Sequence, residues 1–122
     1  MIEIQRCPGG AQGRNSGSAY GGFAWAVATS SDPVADMRAQ TVNALARIDE
    51  ILADLGTDRT RLLNATVYVT DIGLKEQMDS AWRDWIGDDP AHWPQRACVE
   101  AGLFGDDLVE IVVIAATGAG GR

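Results

Sequence analysis

The chain is poor in the residues that signal common metal and thiol chemistries. It has one histidine, His92, and two cysteines, Cys7 and Cys98, in 122 residues. The cysteines lie far apart with no Cys-x-x-Cys spacing, so neither a zinc site nor a disulfide framework is signalled. Free thiols in a reducing compartment fit better. His92 lies in the polar stretch Pro90-Ala-His-Trp93 and cannot anchor a metal alone; no metal ligand set is expected. Cationic residues are also scarce, 10 Lys and Arg against 17 Asp and Glu, for a net charge of -7. They form no run, which argues against a sequence-independent nucleic-acid binder or a binder of anionic membranes. No apolar segment approaches membrane-spanning length. Met1-Ile-Glu-Ile-Gln lacks the basic and apolar regions of a signal peptide, so a cytoplasmic location is expected. The Gly-rich start has no strand-Gly-x-Gly-x-x-Gly-helix context, which argues against a phosphate loop.

What is present reads as one domain over residues 1–117, followed by a flexible Gly-rich tail over 118–122. Ile2 to Cys7 alternates as a short strand closed by Pro8-Gly9-Gly10. Ala11 to Gly22 reads as a loop or irregular strand whose strong handles are Arg14, Asn15, Ser16 and Tyr20. Gly21-Gly22 then turns into a strand over Phe23–Thr29, with Phe23, Trp25 and Val27 on one face. Ser30-Ser31-Asp32-Pro33 and Asp36 supply helix-start chemistry. A long amphipathic helix follows from Met37 to Leu55, with Gly56 as its cap. Leu62–Thr70 reads as a strand with Leu63, Ala65, Val67 and Val69 on one side. A second helix carries Leu74, Met78, Ala81, Trp82, Trp85 and Ile86 and ends near Gly87. Trp25, Trp82 and Trp85 are expected in the core or an interface. Two helices covering one face of a mixed sheet make an α+β plan. Its other face, carrying Phe23, Val67 or their neighbours, is left open for self-association.

Two late stretches hold the chemistry. Trp93-Pro-Gln-Arg-Ala-Cys-Val-Glu-Ala-Gly102 starts where Pro94 ends any helix. As a strand, it points Arg96 and Cys98 to one face. Leu108–Ala116 is a second strand with Glu110 set among Val109, Ile111, Val112, Val113 and Ile114. A carboxylate there must face water, a cation or a site, because burying it unpaired is expensive. Arg96 can pair structurally with Glu110 or Glu100, or hold a ligand carboxylate with its planar fork. Glu110 can act in proton transfer or simply hold Arg96. No neighbouring base activates Cys98, and buried cysteines are usually inert.

The arrangement resembles the Rid family of reactive-intermediate deaminases, also called the YjgF/YER057c/UK114 family. Pro94-x-Arg96-x-Cys98-Val99-Glu100 is similar to that family's Pro-x-Arg-x-x-Val-Glu strand. Val109-Glu110-Ile111 with Val113-Ile114-Ala115-Ala116 is similar to its closing strand. Gln40-Thr41 and Ala65-Thr66-Val67-Tyr68-Val69-Thr70-Asp71 are similar to its helix and central strand. Arg14-Asn15-Ser16 and Ala28-Thr29-Ser30 depart from the archetypal Gly-Pro-Tyr and Ser-Gly-Gln segments and are closer to divergent branches.

The resemblance implies a chorismate-mutase-like (bacillar type) α+β fold and a homotrimer whose sheets form a central barrel, with sites in the clefts between subunits. It implies hydrolysis of 2-imino or 2-enamino acids to 2-oxo acids and ammonia, with no cofactor. Arg96 and Glu110 are the expected catalytic residues. Cys98 and Trp93 would line the pocket, with Arg14 and Ser16 making a second contact to a larger ligand. Rival readings are a pathway-specific deaminase similar to the aminomuconate deaminases, and a carboxylate-binding or chaperone-like trimer without turnover.

Overall fold

The computed structural model describes residues 3–118. It consists of six strands and two helices: β1 (Gln5–Pro8), β2 (Asn15–Tyr20), β3 (Phe23–Thr29), α1 (Met37–Asp54), β4 (Leu62–Val69), α2 (Lys75–Ile86), β5 (Gln95–Glu100) and β6 (Val109–Ala116). The strands form one mixed sheet in the order β1-β2-β3-β6-β4-β5. Every pairing is antiparallel except β4 with β5, which α2 connects as a crossover. β5 and β1 are therefore the two edges.

α1 starts at Asp36, whose Oδ1 accepts from the Ala39 amide at 2.9 Å, and ends before Gly56, which takes φ +83°. Its buried stripe includes Met37, Ala44, Leu45, Ile48, Ile51 and Leu52. Facing that stripe are the buried residues Ala24, Ala26 and Ala28 of β3 and Val109, Ile111, Val113 and Ala115 of β6. Small side chains on β3 let α1 approach the sheet closely. α2 adds Met78, Trp82 and Ile86 to the same core.

Gln40 is, with Thr41, a fully buried polar side chain of this layer. Its amide nitrogen donates to the carbonyls of Pro33, Ala35 and Asp106, and its oxygen accepts from the Leu108 amide at 2.8 Å. It thereby ties both the α1 entry loop and the β5–β6 loop to the helix.

Four expectations change. The 11–22 stretch, expected as a loop or irregular strand, holds a regular strand over Asn15–Tyr20 between β1 and β3. Its Gly and Ser content hid it, and Gly17 is there because α1 leaves no room. A Cβ at Gly17 would lie 2.6 Å from Ile51 Cγ2 and 2.8 Å from the Trp25 carbonyl. The first strand begins at Gln5, not Ile2; Ile4 is exposed and Ile2 lies outside the described residues. A register shift between Leu62 and Asn64 puts Leu62, not Leu63, in the core. Val67 is fully buried on the helix side and is not part of the open face. Most of the expected tail, 119–122, lies outside the described residues.

The open face carries Phe23 and Trp25 of β3, with ring centroids 6.1 Å apart, and the cross-strand pairs Trp25–Ile114 and Val27–Val112. Phe23 and Trp25 are 44% and 36% exposed, so an apolar strip faces outward. Among the described residues, no helix is long and apolar enough to cross a membrane.

Candidate functional site

β5 presents Arg96 and Cys98 on the helix side of the sheet edge. Their register partners on β4, Ala65 and Val67, are both buried core residues. Arg96 meets α2. Its Nη2 donates to Asp79 Oδ1 at 2.6 Å, its Nη1 approaches Met78 Sδ at 3.6 Å, and its guanidinium carbon stands 5.1 Å from the centre of the Trp82 ring. Lys75 Nζ donates to the other oxygen of Asp79, also at 2.6 Å. Lys75 and Asp79 are four residues apart on α2, which puts both on one helix face.

Burial pushes the Asp79 carboxyl up, but hydrogen bonds from Lys75 and Arg96 and their charges outweigh it and hold the group below the usual carboxylate range. Asp79 is therefore ionised at neutral pH. Burial likewise raises the Cys98 thiol, and the nearby Arg96 and Lys75 only partly offset it. Cys98 is a neutral, packing thiol there, not an activated nucleophile.

Glu110 lies on the other face of the sheet. Its register partners are Thr29 on β3 and Tyr68 on β4, whereas its neighbours Val109 and Ile111 point into the core. It lines a cleft of about 1030 Å³ together with Arg14, Ser16, Thr29, Asn43 and Arg47, among other residues. Asn43 accepts from both the Ser31 amide and hydroxyl, at 2.8 and 3.0 Å, and so fixes one wall. Arg47 is committed to Glu50 and the Pro8 carbonyl. Arg14 makes no side-chain hydrogen bond or ion pair with the described residues, which leaves its guanidinium for whatever enters the cleft.

Three of the six expected residues, Arg14, Ser16 and Glu110, thus come together in one cleft. Arg96 and Cys98 come together in a second place. Trp93 joins neither: it is 52% exposed, and its indole N–H donates to the Gly87 carbonyl at 2.9 Å. The expected structural partners of Arg96 are also corrected. Glu110 is across the sheet, and Glu100 accepts instead from the Ile72 amide at 2.8 Å. Sequence reasoning missed Asp79, whose signal was its position one turn after Lys75 and one residue after Met78. Among the described residues, no three His, Cys, Asp or Glu side chains converge as metal ligands would.

The family profile described as Endoribonuclease L-PSP matches residues 21–117. A RutC family protein of Haemophilus ducreyi is 38% identical over 99 residues, 80% of this chain and 83% of that protein. This chain belongs to the YjgF/Rid family. Among YjgF/Rid proteins of known structure, a YjgF-family protein of Neisseria meningitidis is 29% identical, with a TM-score of 0.84 over 94% of this chain and 95% of the other. The Rid-family protein YyfA of Yersinia pestis, described as of unknown function, is 27% identical, with a TM-score of 0.82 over 95% and 97%. The α+β fold of two helices on a mixed six-stranded sheet is the fold of these YjgF/Rid structures.

Proposed function

We propose that the protein is a cofactor-independent hydrolase of 2-imino and 2-enamino acids, with its site completed between copies of the chain. The observation that carries this is the state of Arg96. It is a guanidinium with 18% side-chain exposure at a sheet edge, held on one side by Asp79 and with N–H donors that are unpaired among the described residues. In a YjgF/Rid protein, that arrangement suits a bidentate clamp for a ligand carboxylate.

Glu110 is cut off from Arg96 by its own sheet, so a single chain offers two half-sites. A homotrimer that buries the open apolar strip around Phe23 and Trp25 as a central barrel would bring the Arg96 edge of one subunit to the Glu110 cleft of the next. Arg96 then holds the substrate carboxylate. Glu110 takes a proton from water as the water oxygen bonds to C2 and returns it to the nitrogen, giving a carbinolamine. The proton of the new hydroxyl then moves to the nitrogen, with Glu110 as the relay, as the C–N bond breaks and C2=O forms, and the products are a 2-oxo acid and ammonia. An enamine enters the same route after protonation at C3. Soluble, cytoplasmic operation and absence of a cofactor belong to this reading. The net charge of -7 counts against a nucleic-acid substrate.

Arg14, which lines the Glu110 cleft and makes no side-chain hydrogen bond or ion pair with the described residues, favours a substrate with a polar or acidic side chain over the smallest imines. That is the pathway-specific form of the same chemistry. The test generates imines in situ with an amino-acid oxidase from small, branched, aromatic and acidic amino acids and follows 2-oxo acid and ammonia. Wild type should accelerate breakdown of part of the panel, and Arg96→Ala, still folded and assembled, should not. Equal rates for both proteins and for buffer across the panel would sink the hydrolase reading in favour of a binding role.

A further inference from the structure

Asp79 and Lys75 are the charged residues beside Arg96 for which the proposed chemistry has no task. An arginine on an edge strand has many rotamers open to it, yet this one is fixed on three sides, by Asp79, Met78 and Trp82. A carboxylate facing an arginine ordinarily takes the fork with both oxygens, which would block a ligand. Here it does not. Oδ1 of Asp79 accepts from Arg96 and Oδ2 from Lys75, each at 2.6 Å. Lys75 draws the second oxygen away and keeps the contact with Arg96 one-armed. Of the five N–H donors of a guanidinium, two are directed at Asp79 and Met78 and three have no partner among the described residues. Two cations share one carboxylate, so the cluster still presents a net positive charge to an anion.

We propose that Asp79, braced by Lys75, is a positioning residue that holds Arg96 in the orientation that receives a ligand carboxylate. The proposal rests on the carboxylate-clamp part of the imine-hydrolase reading. It assigns Asp79 no contact with substrate. Its effect runs through the direction of the guanidinium, so it should appear in affinity more than in the chemical step.

The experiment compares wild type, Asp79→Asn and Asp79→Glu as assembled proteins. Asparagine keeps the shape beside Trp82 and removes the charge. Binding of pyruvate and of 2-oxobutyrate, as product probes, is measured by calorimetry. The Arg96 Nε–H signal is followed by nitrogen-15 NMR, and KM and kcat are obtained on the imine panel. Asp79→Asn should weaken 2-oxo acid binding and raise KM by about ten- to a hundredfold with kcat within about twofold. It should also speed exchange of the Arg96 Nε–H proton, and Asp79→Glu should recover part of each effect. Unchanged affinity and an unchanged signal in Asp79→Asn, with an active wild type, overturn the positioning role alone. Tighter binding in Asp79→Asn also overturns it, because Asp79 would then compete with the ligand. A wild type that neither binds 2-oxo acids nor hydrolyses imines overturns the clamp reading itself and this proposal with it.

Discussion

Arg96 and Glu110 stand on opposite faces of the same sheet. Arg96 is in register with the buried Ala65, and Glu110 with Tyr68 and Thr29 on the open side. No rotamer of either side chain can pass through a hydrogen-bonded sheet, so one chain cannot place both at one substrate. Arg96→Ala and Glu110→Ala should each be inactive alone. Unfolded together in equal amounts and refolded as mixed assemblies of the proposed trimer, they should regain about a quarter of wild-type activity, because one site in four then receives both intact residues. No recovery in verified mixed trimers would show that the two residues do not share a site.

The Asp79 pair makes stability depend on acid. Its carboxyl is held below the unfolded value of about 3.9. The stabilisation is therefore fully present above that value and is lost as pH falls through the lower folded value. In urea unfolding, Asp79→Asn should be less stable than wild type by about 1–2 kcal/mol at neutral pH, and the gap should close in strong acid. A gap independent of pH would show that the charge of Asp79 is not what stabilises.

Cys98 should behave as packing. Burial raises its thiol, so at neutral pH it should react with iodoacetamide more slowly than an ordinary free thiol, with the rate still climbing at pH where a free thiol has levelled off. Peptide mass mapping separates it from Cys7, which burial and Asp54 also raise. Cys98→Ser should retain turnover; loss of activity with intact binding would restore a nucleophilic role.

Gln40 satisfies four backbone groups of two separate loops. Gln40→Leu fills similar space but leaves the part-buried Leu108 amide and Asp106 carbonyl without their partner. It should cost about 1–3 kcal/mol, and hydrogen exchange at the Leu108 amide should speed up. Unchanged protection at Leu108 would mean that other contacts hold that loop.

Gly17 can be tested against Gly102. A methyl at Gly17 would press on Ile51 and on the Trp25 backbone, whereas nothing lies within 4 Å of a Cβ built at Gly102. Gly17→Ala should lower stability by about 1–3 kcal/mol, and Gly102→Ala should lie within about 0.5 kcal/mol of wild type. Equal midpoints for the two variants would show that α1 yields at Gly17.

Local periodicity was enough for most of the elements. The α1 stripe from Met37 to Leu52, the α2 stripe from Met78 to Ile86, the Gly21-Gly22 turn and the alternation of β6 are each written in neighbouring residues and cost no knowledge of the rest of the chain. β2 was legible only as one of two alternatives, a loop or an irregular strand, because Gly17 answers to the approach of α1, 34 residues away at Ile51, and not to any strand propensity. The Leu62–Asn64 shift was not legible either, since a one-residue change of register reverses which leucine is buried and only the partner strand fixes it.

The site divides in the same way. Sequence alone determined that Arg96 and Cys98 share a face, because strand period two is local, and that Glu110 must look away from the apolar residues beside it. Tertiary structure alone decided that Arg96 answers to Asp79 and Lys75, that Arg14, Ser16 and Glu110 share a cleft, and that Trp93 stands outside both. Those relations depend on where a crossover helix lands on an edge strand and on which face each strand turns outward. Both are set by packing the whole core, which no window of neighbouring residues contains.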